Sequence, residues 1–154
     1  MIVKTLVTAA TIVGLVCSTA LAQGTNPLVG TWKLNVAKSG TAFKSGTTKI
    51  EAVGEGVKFT VDMVAADGTA SHWSFTANFD GKPYPVVGNS PYGDMTAFTR
   101  IDANTTRIVS SKGGKPTVTQ TIVVSADGKT RTTTTKGTNA AGQAVDTVAV
   151  YEKQ

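Results

Sequence analysis

Apolar and polar positions alternate along this chain with a period of two. Val57, Phe59, Val61 and Met63 fall on one face, opposite Lys58, Thr60 and Asp62. Beyond an Asp67-Gly68 pair, Trp73, Phe75, Ala77 and Phe79 share a face opposite His72, Ser74, Thr76 and Asn78. Successive side chains point to opposite sides of a strand, so each set predicts one half-buried β-strand. The Asp-Gly pair tolerates the positive φ of a tight hairpin and turns both apolar stripes toward one interior. Later segments are leaner. Val118, Gln120, Ile122 and Val124 alternate with Thr117, Thr119, Thr121 and Val123, and residues 130–135 are mostly Thr. Threonine favours strands but supplies little core volume. No segment shows a convincing apolar period of 3.6 residues. The pattern therefore predicts an aromatic wall facing a lean, polar one. A sandwich core prefers both inner faces apolar, whereas a barrel with a partly wet cavity tolerates the asymmetry.

Turn signals punctuate the alternation at Gly54-Glu55-Gly56, Asp67-Gly68, Asp80-Gly81, Asp102-Ala103-Asn104, Gly113-Gly114, Asp127-Gly128 and Gly142. Spacing of roughly 8–12 residues between turns marks an all-β sandwich or barrel. No break in composition divides the chain, which predicts one domain. Residues 37–45 are the least strand-like and suit a loop or a short helical turn. Lys82-Pro83-Tyr84-Pro85 and Gly88-Asn89-Ser90-Pro91-Tyr92-Gly93 interrupt strand pairing. Proline has no N–H to give the ladder, so this region is expected to be a loop or an edge. It reads either as a long connection or as a functional loop whose exposed Tyr84 and Tyr92 rim a cavity mouth.

The chain opens with Lys4, an apolar stretch over residues 5–16, and Ala20-Leu21-Ala22 before Gln23. A charged start, a short apolar run and a small-x-small site describe a Sec signal peptide over residues 1–22. The run falls short of the ~20 apolar residues that span a bilayer. Cleavage after Ala22 leaves residues 23–154 as one exported domain, periplasmic or secreted. Val16 is bulky where lipidation of Cys17 would need a small residue, so a soluble product is expected. Cys17 is the single Cys, and it departs with the leader. The mature domain must then hold together by its core and its β ladder. The formal net charge is +5, but Lys33, Lys58, Arg100, Lys129 and Lys153 are scattered singly. Basic surfaces that hold nucleic acid are clustered, so no nucleic-acid partner is expected.

Catalytic chemistry has little to draw on. A nucleophilic triad or a zinc site needs converging bases or ligands, usually including His. His72 is the single His, and it lies opposite Trp73 on the solvent face. Asp67, Asp80, Asp102 and Asp127 sit in turns, where Asp bonds its own backbone. Asp62, Asp146 and Glu152 fall on outward faces. No pair of carboxylates faces across a cleft, and no Gly-rich phosphate cradle follows a strand. The expectation is a protein without catalytic residues, metal or cofactor, and not an enzyme.

Asn26-Pro27-Leu28-Val29-Gly30-Thr31-Trp32-Lys33-Leu34-Asn35 resembles the opening of lipocalin-like proteins, whose first strand carries Gly-x-Trp. From about Asn26 to Gln154 the chain resembles the small secreted bacterial members of this calycin group. The resemblance implies an antiparallel up-and-down β-barrel of about eight to ten strands around a ligand cavity. It assigns Gly30 and Trp32 structural roles. Fatty-acid-binding relatives hold a carboxylate with Arg-x-Tyr on the last strand; the matching stretch is Val148-Ala149-Val150-Tyr151, which keeps the Tyr and lacks the Arg. Lipocalins also lay a late-strand Arg across the first-strand Trp, a role for which Arg131 and Arg100 are candidates.

The aromatic stripe has two readings, as ordinary core or as the wall of a pocket. The pocket reading gathers Phe59, Met63, Trp73, Phe75, Phe79, Tyr84, Tyr92, Arg100 and Tyr151 as ligand-facing residues. The leading expectation is an exported, monomeric carrier of a small apolar or amphipathic molecule. The alternative is an envelope interaction module with a side-chain-filled barrel, using its Pro/Tyr loop against a protein partner. An outer-membrane barrel would need an outward apolar band with aromatic girdles, which the Thr- and Lys-rich strands do not supply, so no membrane-integral form is expected.

Overall fold

Alternation with period two puts β-branched and aromatic residues on a pleated surface that is wet on one side, the pattern of antiparallel sheets. The computed structural model describes residues 25–154 as an all-β chain. Its strands are β1 (Gly30–Leu34), β2 (Phe43–Val53), β3 (Gly56–Ala65), β4 (Ala70–Ala77), β5 (Asp80–Pro85), β6 (Val87–Gly88), β7 (Met95–Arg100), β8 (Thr105–Lys112), β9 (Lys115–Val124), β10 (Thr130–Thr138) and β11 (Ala144–Lys153). A single 3-10 turn at Val36–Lys38 accounts for the weakly strand-like region after β1. The signal peptide expected over residues 1–22, with Cys17, lies outside the described residues.

All pairings are antiparallel, and β1 lies between β2 and β11 in a sheet ordered β5-β7-β8-β9-β10-β11-β1-β2-β3-β4-β6. The result is an up-and-down, nearly closed barrel of eleven strands. Two of these strands are halves of one bent segment. β5 runs beside β7 (Tyr84 opposite Thr96, Pro85 opposite Met95), and after Val86 the chain crosses to β4 (Gly88 opposite Trp73, Val87 opposite Ser74). Counted as one bent strand, β5 and β6 bring the wall to the upper end of the expected range. Gly88 makes the crossing possible at a φ of 107°, and a Cβ there would collide with the backbone of His72 and Trp73. Asn89 completes the seam. Its Oδ1 accepts from the His72 N–H at 2.6 Å, and its Nδ2 donates to the Ala70 carbonyl at 3.2 Å.

The proline-containing stretch is thus an edge strand rather than a loop, as its missing N–H groups allow. Asp80-Gly81 does not turn between two strands; it lies inside β5, where the register with β7 shifts. The hairpin signal after β3 is sound: Asp67 Oδ1 accepts from the Thr69 N–H at 2.8 Å.

Inward-facing residues fill one end of the barrel densely. Phe59 and Phe75 sit opposite each other on β3 and β4, their rings stacked with centroids 4.9 Å apart. Phe98 of β7, fully buried, meets Phe59 edge-on at 5.4 Å. Trp32 is fully enclosed, and its indole Nε1 donates to the buried Leu28 carbonyl at 2.8 Å.

Candidate functional site

Alternation along the strands brings the two contrasting walls around a cavity of about 60 Å³. β3 and β4 supply Phe59, Val61, Met63, Trp73 and Phe75, with Ile108 of β8 and Ile122 of β9 completing the apolar side. The facing side is polar: Thr48 of β2, Thr96 of β7, Ser110 of β8, Gln120 of β9, Arg131 and Thr133 of β10, and Tyr151 of β11. Val86, Ser90 and Tyr92, from the segment around the seam, complete the lining. The polar wall follows directly from sequence parity. On β10, Arg131, Thr133 and Thr135 alternate inward while Thr130, Thr132 and Thr134 remain half-exposed.

Arg131 dominates the electrostatics. It is 3% exposed and is the one buried charged residue among the described residues. Its guanidinium carbon lies 4.0 Å from the Tyr151 ring centroid and 5.6 Å from that of Trp32. Such faces attract cations, most strongly where water is excluded. Nη2 donates to Thr48 Oγ1 at 3.2 Å, and Nε has no hydrogen-bond partner. The hydroxyls of Thr96 and Thr133 are likewise buried and unpartnered. None of the ten Asp and Glu side chains is buried, so no carboxylate balances the guanidinium. Burial lowers the Arg131 pKa to about 10, opposed by Tyr151, and leaves it charged at neutral pH. Burial pushes the Tyr151 and Tyr92 phenols up, so both stay neutral and supply no counter-charge.

Six of the expected ligand-facing residues converge here: Phe59, Met63, Trp73, Phe75, Tyr92 and Tyr151. Three do not. β4 ends at Ala77, so Phe79 leaves the stripe and packs beside Phe98 near the barrel's edge, with ring centroids 6.1 Å apart. Arg100 is exposed and covers the Phe79 ring at 4.1 Å, a surface cation–π pair rather than a ligand contact. Tyr84 lies partly buried against the core, outside the cavity lining, with its hydroxyl donating to Asp80 Oδ2 at 2.9 Å. Tyr92 is not an exposed rim residue either. It turns inward and meets Trp73 edge-on at 6.2 Å. Of the two arginines proposed to lie across Trp32, Arg131 takes the position. Its place in the cavity wall, and that of Thr48, Thr96 and Thr133, escaped sequence reasoning. The available signal was the single Arg on the inward parity of a threonine-rich strand.

His72 Nδ1 and Asp62 Oδ1 lie within hydrogen-bond distance, 2.7 Å apart, on the outer face, with side chains 63% and 64% exposed. Among the described residues, no group of three His, Cys, Asp or Glu could hold a metal, and no helix is long and apolar enough to cross a membrane. No protein-family model and no curated protein matches the chain.

Proposed function

We propose that this is an exported, lipocalin-like, non-enzymatic protein that binds a small apolar or amphipathic molecule inside its barrel. One observation carries the reading: a cavity bounded by aromatic side chains on one side and unpartnered polar groups on the other. Ligand pockets combine a mostly apolar lining with a few convergent polar groups in this way. At about 60 Å³ the space accepts a molecule of few atoms, well below the roughly 300–1,000 Å³ of drug-sized pockets. Native mass spectrometry of protein purified from its own host tests the reading, since a retained ligand adds mass. Titration of small apolar probes against Trp73 fluorescence in a Trp32→Phe background is the second test. A saturating change at one ligand per chain supports the carrier; no probe saturating and no added mass overturns it.

A second reading, an interaction module with a side-chain-filled barrel, is favoured by the close stacking of Phe59, Phe75 and Phe98. Small barrels can be filled entirely by side chains. Binding by this module would use the outer surface of the 80–93 region, and loss of all interior binding would leave it as the leading reading.

A further inference from the structure

A charge without a counter-charge inside a barrel asks for an explanation. Removing an ion from water costs several kcal/mol even after relaxation, and buried charges are accordingly paired or bound to something of opposite sign. Arg131 has neutral neighbours only. Thr48 takes one N–H, Tyr151 and Trp32 offer ring faces, and the Nε donor is unused. Two further donors line the same cavity with their hydroxyls unpartnered, Thr96 and Thr133. The interior thus presents one fixed positive charge and several idle donors, and nothing negative.

Resting on the carrier reading above, we infer that the cavity is a site for a short-chain monocarboxylate, with the carboxylate on Arg131 and the apolar tail against Phe59 and Phe75. The planar guanidinium fork matches two carboxylate oxygens at once, and the threonine hydroxyls can donate to the remaining lone pairs. The volume sets the tail. About 60 Å³ holds about four to six water-sized groups, at ~10–15 Å³ each. That admits an acid of the size of acetate or propionate and excludes a long acyl chain. A purely structural Arg131, clamped between Trp32 and Tyr151, explains the stacking but leaves its free N–H and the two orphaned hydroxyls without a role.

The test uses the mature chain at pH 7, with ionic strength fixed by sodium chloride. Acetate, propionate, butyrate and octanoate are titrated by calorimetry and by thermal unfolding, with acetamide and propionamide as neutral isosteres. The expected result is saturable binding of acetate and propionate at one per chain, at least tenfold tighter than the amides, with octanoate weaker than propionate. Arg131→Met should abolish the preference for acid over amide. Thr133→Val removes only an unpartnered hydroxyl, so the ligand-free protein should melt no lower, while propionate binds several-fold more weakly. Should Arg131→Met fail to fold, the acid–amide comparison and Thr133→Val decide the matter alone. Equal binding of acids and amides, or octanoate binding tightest, overturns the inference. If benzene or 1-butanol saturates wild type while no carboxylate does, the carboxylate site is wrong and the carrier reading stands. If nothing binds, both fall.

Discussion

Replacing Trp32 by alanine removes the largest fully enclosed side chain among the described residues, at 0% exposure. Truncating a buried Trp to Ala typically costs about 3–5 kcal/mol, because lost transfer energy and the residual cavity add. Two further losses are specific to this site. The Leu28 carbonyl loses the indole N–H that reaches it at 2.8 Å, and a buried acceptor left unmade costs about 1–3 kcal/mol. Arg131 loses one of the two ring faces around it, which leaves its charge more poorly compensated. These effects overlap, so about 4–6 kcal/mol is the reasonable expectation, against a total of about 5–15 kcal/mol for a typical domain. With a urea slope of about 1–3 kcal/mol per M, the midpoint should fall by more than about 1 M. Trp32→Phe separates the contributions, since it keeps most of the ring while deleting the N–H, and should cost about a third as much by the magnitudes above. The assay is urea unfolding followed by far-ultraviolet circular dichroism, which does not depend on either Trp as a reporter. A midpoint lowered by less than about 0.5 M in Trp32→Ala would refute the structural role argued for this residue.

Gly88→Ala should lower the thermal midpoint, because a Cβ would meet the His72 carbonyl at a φ that L side chains rarely adopt; an unchanged midpoint would show that the seam rearranges freely. Arg100→Ala should leave interior ligand binding untouched, whereas Phe75→Ala should weaken it, a contrast readable in one titration series; loss of binding in Arg100→Ala would return that residue to the site. Stability should fall on acidification. Asp67, Asp80, Asp102 and Asp127 are held below the ordinary 3.8, by the Thr69, Lys82 and Asn104 N–H groups and the Ser125 hydroxyl respectively, and Lys38 holds Glu152 below 4.5. A depressed folded-state pKa stabilises above the unfolded value and is lost as pH falls through the folded one. Urea midpoints should therefore be level above about pH 5 and decline below about pH 4, and a midpoint constant down to pH 2.5 would contradict the assignment.

The strand faces were legible because period-two alternation is a local property. Val57 to Met63 and Trp73 to Ala77 carry their orientation in their own spacing, and the Asp67-Gly68 turn fixes their shared interior. Phe79 was misplaced because β4 ends two residues earlier, at Ala77, where the chain bends into β5 and the parity argument ceases to apply. Tyr92 was read as exposed because proline and glycine neighbours suggest a surface loop. Its inward turn depends on the seam 80–88, a pairing with two different strands that no local pattern encodes. Phe98 sits in a six-residue strand too short to advertise its burial. The polar wall was visible as leanness, but the convergence of Arg131, Thr48 and Thr96 from three strands is a product of barrel closure. Thr48 and Arg131 are separated by 83 positions, and only the long-range register brings them within reach.

The bent segment that closes the barrel has a mechanical consequence. Most ladders of the wall run for many residues, while β6 holds β4 through two residue pairs and Asn89, by its side chain and by its N–H donating to the His72 carbonyl at 3.0 Å. Rupture propagates from the weakest hem, and local opening draws on the least stable part of a fold. The amides of Val87 and Asn89 should therefore exchange with deuterium far earlier than those of β3 or β9. Each such excursion bares the outer edge of β4, an eight-residue strand rich in aromatics, and a bare edge is a template for another chain. The shelf life of concentrated protein would then be governed by how often this hem unpicks, with the global unfolding equilibrium a bystander.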